Sequence, residues 1–263
     1  MITIQNYVRA MSLEEAYRLN QSPRNRIVGG MHWIKMSRGS VGVAIDLCDL
    51  GLDRIEENGE EFSIGAMVSL RDIELSESLN EYTNGAVRNA VKDIVSVQFR
   101  NTATVGGSLW GRFGFSDVLT VFLAMDSYVE LYKGGIIPLG EFSKMKYDKD
   151  VLVRLIVKKA PGRFVYNCVR IQRTDFPVLN CAFSNVNGSL RAVIGARPGR
   201  AMVFSDEKGI LCGGINENNA KLFGEYLCEK VPVSSNMRGS AEYRSHLVKV
   251  LTERCLAELG GEL

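Results

Sequence analysis

The chain has no pair of cysteines at metal-ligand spacing. Its six cysteines, Cys48, Cys168, Cys181, Cys212, Cys228 and Cys255, stand apart, without a C-x-x-C or any C-x2–4-C element. That scatter excludes a sequence-local zinc or iron–sulfur site and argues against a disulfide framework; it suits reduced, mostly buried thiols in a cytoplasm. An excess of one charge is also missing. Across 263 residues, 32 Lys and Arg meet 30 Asp and Glu, so no basic stripe is available to track a phosphate backbone and nucleic acid is not an expected partner. No apolar run approaches the roughly 20 residues that span a bilayer. The stretch MITIQNYVRAMSLEEAYRL lacks the basic head, apolar core and cleavage site of a secretory signal, so secretion is not indicated. There is no G-x-x-x-x-G-K-[ST], and no G-x-G-x-x-G opens a helix after a strand, which disfavours a Walker ATPase and a Rossmann dehydrogenase. Neither a nucleophile triad, a metal cluster nor paired carboxylates can be assembled, so no residue is assigned a catalytic or metal-binding role. If such a chain handles electrons, it does so through a bound cofactor that needs no cysteine.

What is present reads as mixed α and β structure. A hydrophobic content of 46% is ordinary for a globular core, and the length suits one large domain or two smaller ones. Ser12-Leu-Glu-Glu15 predicts a capping box and a helix through Tyr17 and Leu19. Short strands follow at RIVGG and VGVAIDLC, and Asn58-Gly59 predicts a tight hairpin. Residues 69–79 and 84–96 read as helical, DVLTVFLAM as a short helix, YVELYKGGIIPL as a hairpin and VLVRLIVKK as a buried strand. Ala160-Pro161-Gly162 is the best linker, which predicts domains at 1–160 and 163–263. Beyond it, FVYNCVRIQR, VLNCAFSNV and SLRAVIGA predict an antiparallel meander with a turn at Asn187-Gly188. Two helices close the chain, the last placing Tyr243, Leu247, Val250 and Leu251 on one face.

The tetrads IVGG and TVGG each sit at the end of an apolar segment. Glycines there either let backbone N–H groups approach an anion closely or simply turn the chain. Thr104 and Ser108 offer hydroxyls to a phosphate or ribose, or to their own backbone. Asp117 accepts hydrogen bonds from a ribose or adenine, or, with Ser116, caps the helix that follows. His32, alone among potential ligands, reads more readily as structural than catalytic.

Four segments then bring a family to the fore: IVGGMHW at 27–33, RNTATVGGSL with FSD at 100–117, VRIQRTDFPVLNCAFS at 169–184 and GSAEYRSHLVKVLTERCL at 239–256. In order and content they resemble the flavin-binding medium subunit of molybdenum hydroxylases, the xanthine dehydrogenase and carbon monoxide dehydrogenase group. The resemblance implies an α+β fold: an FAD-binding domain of the vanillyl-alcohol-oxidase or PCMH type with two α/β subdomains, then a C-terminal domain with a three-stranded antiparallel sheet and helices. It implies FAD as cofactor, its pyrophosphate held by Ile27, Val28, Gly29, Gly30, Met31, His32 and Trp33 and by Thr104, Val105, Gly106, Gly107 and Ser108. It places Asp117 at the adenosine ribose and Leu152 against the isoalloxazine, and gives Asp175 a place near the flavin or in the turn that covers it. Its implied partners are a large molybdopterin-binding subunit and a small [2Fe–2S] subunit, with NAD+ or another acceptor receiving electrons. Met31, His32, Ser108 and Gly114-Phe115 depart from the family pattern, which motivates a rival reading: an assembly subunit that keeps the fold with weak or no FAD binding.

Overall fold

The computed structural model describes residues 2–261. In chain order its first elements are β1 (Ile2–Arg9), α1 (Leu13–Asn20), β2 (Arg26–Val28), β3 (Gly39–Asp46), β4 (Ile55–Glu57), β5 (Glu61–Gly65), α2 (Leu70–Leu75), α3 (Glu77–Tyr82), α4 (Ala86–Val91), α5 (Val97–Arg100), α6 (Val105–Trp110) and α7 (Asp117–Leu123). There follow β6 (Ser127–Leu131), β7 (Gly135–Pro138), α8 (Leu139–Phe142), β8 (Leu152–Lys158), β9 (Gly162–Arg170), β10 (Pro177–Val186), β11 (Ser189–Gly195), β12 (Met202–Phe204), α9 (Glu217–Lys230) and α10 (Ala241–Gly260). They gather into two compact units. One takes the chain through Asp72, Val97–Gly111 and Ser127–Lys159; the other takes Ile73–Ser96, Arg112–Asp126 and the chain from Ala160 onward.

The first unit holds two sheets. β1 and β2 flank β3, both parallel to it, and the connection between β1 and β2 is helix α1. Ser12 caps α1 by accepting the Glu15 N–H at 3.1 Å, while the Glu15 carboxylate takes the Met11 N–H at 2.9 Å, closing the expected box one residue early. Ala16, with Leu13, Tyr17 and Leu19 beside it, packs on Ile45 and Leu47. The second sheet is antiparallel, in the order β4-β5-β8-β6-β7, with β8 buried along most of its length at the centre. Asn58-Gly59 does connect β4 to β5, but neither residue has a positive φ. The Asn58 side chain instead accepts the N–H groups of Glu60 and Glu61, both at 2.8 Å, so a side chain closes a longer loop where a mirror-image turn was expected.

The second unit is built on one antiparallel sheet in the order β12-β11-β10-β9. Asn187 and Gly188, with φ of 51° and 79°, make the tight turn between β10 and β11 that the dipeptide predicts. A fourth strand joins the implied three because Met202–Phe204 pairs with Ala192–Ile194. β10 reads PVLNCAFSNV and is buried on both faces over its first eight residues. α10 packs on β9 and β10 from one side, with α9 against it; α7 lies on β10 and β11, and α4 on β9. That double cover explains why residues 73–96 and 112–126 belong to this unit, which a single boundary at 160 does not anticipate.

Two expectations shift in detail. The buried stripe of α10 runs through Arg244, Leu247, Val248, Leu251, Cys255, Leu256 and Leu259, so Tyr243, one residue off its centre, stays 45% exposed and Val250 half-buried. Among the thiols only Cys181 and Cys255 are fully buried, their sulfurs sharing a hydrogen bond at 3.5 Å with no disulfide, and burial pushes the Cys181 thiol well up; Cys48 and Cys212 are exposed.

Candidate functional site: two glycine loops

In the first unit the two VGG segments meet. The backbone leaves β2 at Val28, whose side chain packs with Val41 and Ala44, and Met31 and Ile34 close over them. A Cβ on Gly30 would stand 2.1 Å from the Thr102 carbonyl oxygen, so only glycine lets the loops approach this closely. Met31 then adopts a left-handed φ of 58°. His32 completes the junction: its ring stacks on Phe99 with centroids 3.8 Å apart, and Nε2 lies 2.8 Å from Thr102 Oγ1. Since the Thr102 hydroxyl points its hydrogen to the Phe99 and Gln98 carbonyls, at 3.2 and 3.4 Å, the imidazole is assigned as donor through Nε2–H. Burial, and secondarily Lys35, lowers the His32 pKa, which keeps the ring neutral.

The second loop enters a helix. Thr104 is the N-cap of α6, accepting the Gly107 N–H at 3.1 Å. The Val105 and Gly106 N–H groups donate to Val68 and Ala66 carbonyls at 2.9 and 2.8 Å, and that of Ser108 to the Thr104 carbonyl at 3.0 Å. The Ser108 hydroxyl also donates to the Thr104 carbonyl, at 2.9 Å, taking the local of its two predicted roles. These four N–H groups are therefore spent inside the protein, whereas those of Gly30 and Met31 meet no acceptor among the described residues. The second loop offers the exposed, side-chain-free surface of Gly107 and the hydroxyl hydrogen of Thr104. Trp33 is 46% exposed beyond the first loop. Ile27 is half-buried in β2, and Leu152 opens β8, paired with Leu131 and buried, in the strand against which α6 packs.

Asp117 lies in the second unit. Ser116 supplies the cap of α7, accepting the Leu119 N–H at 3.1 Å, which leaves the Asp117 carboxylate for other partners. Its Oδ1 accepts from the Tyr166 hydroxyl and from Asn180 Nδ2 at 2.7 Å; its Oδ2 accepts from Arg170 at 2.8 Å. Both ion-pair side chains are less than a tenth exposed. Burial works against the Arg170 charge, but Asp117, together with Tyr166 and Cys168, more than offsets it and raises the pKa, while burial and then the same carboxylate push the Tyr166 phenol well up. Removing one member of such a pair costs about 3–5 kcal/mol, because the other charge stays buried. The RFGFS segment before α7 is equally built in: Phe113 and Phe115 stack at 5.2 Å, Phe115 meets Phe176 at 4.5 Å, and the Gly114 carbonyl accepts the Ala196 N–H at 2.8 Å. Asp175 fixes its own turn, its Oδ1 accepting the Phe176 N–H at 2.7 Å. Thr102, Phe99, Tyr166, Arg170 and Asn180 are not marked by sequence pattern, except that Arg170 opens the R-x-x-x-x-D-F-P element within VRIQRTDFPVLNCAFS.

The model of a family described as "FAD binding domain in molybdopterin dehydrogenase" matches residues 2–159, and that of "CO dehydrogenase flavoprotein C-terminal domain" matches 164–259. The glyceraldehyde dehydrogenase medium chain of Sulfolobus acidocaldarius is 25% identical, over 97% of this chain and 98% of its own length. The nicotine 6-hydroxylase medium subunit of Paenarthrobacter nicotinovorans is likewise 25% identical, over 97% and 96%. In solved structures, a chain of carbon monoxide dehydrogenase from Hydrogenophaga pseudoflava superposes with a TM-score of 0.86 at 20% identity, covering 98% of this chain and 97% of that one. A chain of reconstituted CO dehydrogenase from Oligotropha carboxidovorans gives 0.87 at 18%, covering 99% of each. These last likenesses establish the fold. No helix of the described residues is long and apolar enough to cross a membrane.

Proposed function

Because the chain belongs to the family of FAD-binding domains of molybdopterin dehydrogenases, we propose that it is the electron-relaying flavin subunit of a multi-subunit molybdenum hydroxylase. Its partners are a large molybdopterin-binding subunit and a small [2Fe–2S] subunit, a reading supported by relatives named as medium chains and medium subunits. FAD, when bound, supplies the exchange between one-electron transfer from the partner's clusters and two-electron delivery to NAD+ or another acceptor. The observation that carries the proposal is the meeting of two glycine loops at Gly30 and Thr102.

The residues present fit the diphosphate of that cofactor. Unspent N–H groups at Gly30 and Met31 are donors for an anion, and they do not depend on the side chains by which this chain departs from the family pattern. Thr104 adds a hydroxyl donor, and Gly107 removes the side chain that would keep a phosphate away. His32 latches one loop to the other without adding a charge. Leu152, buried at the start of β8, is the residue that the family resemblance puts nearest the flavin ring system.

Titrating the purified chain with FAD tests this, read by visible absorption and by quenching of Trp33 and Trp110, its two tryptophans. The expected result is a yellow protein with saturable quenching. A colourless protein without affinity for FAD, alone or in its complex, would establish the assembly-subunit reading instead. Gly107→Phe sharpens the test. With folding intact it is expected to weaken FAD binding by about 10-fold or more, some 1.4 kcal/mol, while a pure scaffold would keep the activity of its complex unchanged.

A further inference from the structure

We propose that Cys181 and Cys255 form a redox modification site: a peroxide closes them into a disulfide that staples α10 to β10, with Cys255 the sulfur oxidised first. The inference rests on the second unit alone and does not depend on the flavin reading.

Topology singles the pair out. Along β10 successive side chains alternate faces, so Asn180 turns to Asp117 while Cys181 turns to the face that α10 covers. Cys255 reaches the same place from the buried stripe of α10, and the sulfurs meet at 3.5 Å although the residues lie 74 apart in sequence. A disulfide holds its sulfurs about 2 Å apart, so closure asks these two side chains for a shift of about 1.5 Å. Among the described residues the other four thiols have no such neighbour. Cys168 stands opposite Asn180 and therefore on the far face of the sheet. Cys228 donates to the Ser245 carbonyl at 3.1 Å, a point roughly 15 Å along α10 from Cys255 at 1.5 Å per residue. Cys48 belongs to the first unit, and Cys212 is exposed.

Asn167 distinguishes the two sulfurs. The Cys181 thiol donates to its backbone carbonyl at 3.5 Å, whereas Cys255 accepts from its side-chain amide, also at 3.5 Å. A donor aimed at sulfur favours the nucleophilic thiolate at Cys255, while burial holds the Cys181 thiol protonated. The same amide reaches the exposed Glu258 at 3.4 Å, so Cys255, though buried, is linked to the surface through a single half-buried side chain.

Peroxide is the only co-reactant the chemistry needs. The Cys255 sulfur attacks one peroxide oxygen, the O–O bond breaks, and the leaving hydroxide takes up the thiol proton as water, which leaves a sulfenic acid. The Cys181 sulfur then attacks the Cys255 sulfur. As the S–S bond forms the S–O bond breaks, and the oxygen leaves as water with the Cys181 proton. Two thiols have lost two electrons, and one peroxide has become two waters.

The test treats the full chain with hydrogen peroxide, blocks the remaining thiols under denaturing conditions and maps its peptides without reductant. The expected product is a peptide joining Cys181 to Cys255. The melting temperature should rise above that of the untreated chain and return with reductant, because the cross-link restricts the unfolded ensemble. In Cys181→Ala a dione that labels sulfenic acids should label Cys255; in Cys255→Ala it should leave Cys181 unlabelled. Asn167→Leu keeps the cover and removes the donor, and is expected to slow cross-linking by about 10-fold or more. Oxidation of Cys48 and Cys212 while Cys181 and Cys255 remain free thiols overturns the site, as does a disulfide from either of the pair to another cysteine in its place. Label on Cys181 but not on Cys255, or an unchanged rate in Asn167→Leu, overturns the order of oxidation. If the alanine variants fail to fold, the parent's peptide map and the Asn167→Leu rate still decide.

Discussion

At Val28-Gly29-Gly30 the chain leaves a strand; at Val105-Gly106-Gly107 it has just entered a helix. The first triplet is followed by a left-handed residue, Met31, and the Gly30 and Met31 N–H groups meet no acceptor among the described residues, while the second spends every N–H from 105 to 108 on neighbouring carbonyls and a cap. Identical letters therefore serve unlike ends. One pair makes donors available, and the other makes room and rigidity beside them. The contact at Gly30 and Thr102 makes the two a single device.

That contrast can be broken most severely at Gly30. In Gly30→Ala the new Cβ meets a backbone oxygen that cannot rotate away, at an expected cost of about 3 kcal/mol. Spent wholly on holding the loops apart, that would be about 100-fold in FAD affinity, which isothermal titration would register. Thr104→Val comes next. It keeps the shape but removes the cap, so chemical denaturation should show a loss of about 1 kcal/mol, with FAD affinity falling less than in Gly30→Ala. An equal or larger affinity loss would mean that the second loop, not the first, supplies the main donors.

The smallest expected effect belongs to His32 and appears as a dependence on pH. Its folded pKa lies below the ordinary value of 6.5, so as pH falls the unfolded chain takes up the proton first. The contribution is neutral well above pH 6.5, and stability declines as pH drops through and below that value. His32→Gln can still donate to Thr102 and should flatten this decline in melting curves recorded between about pH 7 and 5. A parent whose melting temperature does not differ from that of the variant across this range would show that the latch is not titrating.

Local signals were the legible ones. Ser12, Asn187-Gly188 and the β-rich runs act through bonds a few residues long, and the structure honours them. Asn58-Gly59 shows the limit of even a strong local signal, since the side chain of Asn58 had two nearby N–H groups to collect and did so. Arg244 marks another limit. It is fully buried in the stripe of α10, donating to the carbonyls of Val178, Ser234 and Gly239, a role that depends on residues brought near only by the fold. The same holds for the site. Glycine pairs are visible as letters, but that Gly30 faces Thr102, or that Asp117 faces Arg170, is a matter of long-range topology. Assigning α4 and α7 to the sheet beyond residue 160 required seeing both faces of β10 covered.

The double cover of β10 has a consequence for how the protein is made. Every residue of α7 is buried in the finished fold, yet that helix leaves the ribosome before any strand of the sheet it will cover has been synthesised. Until β10 emerges, an apolar segment and the Asp117 carboxylate both wait without their partners. During that interval the segment is exposed apolar surface, the condition in which incompletely made chains associate with one another.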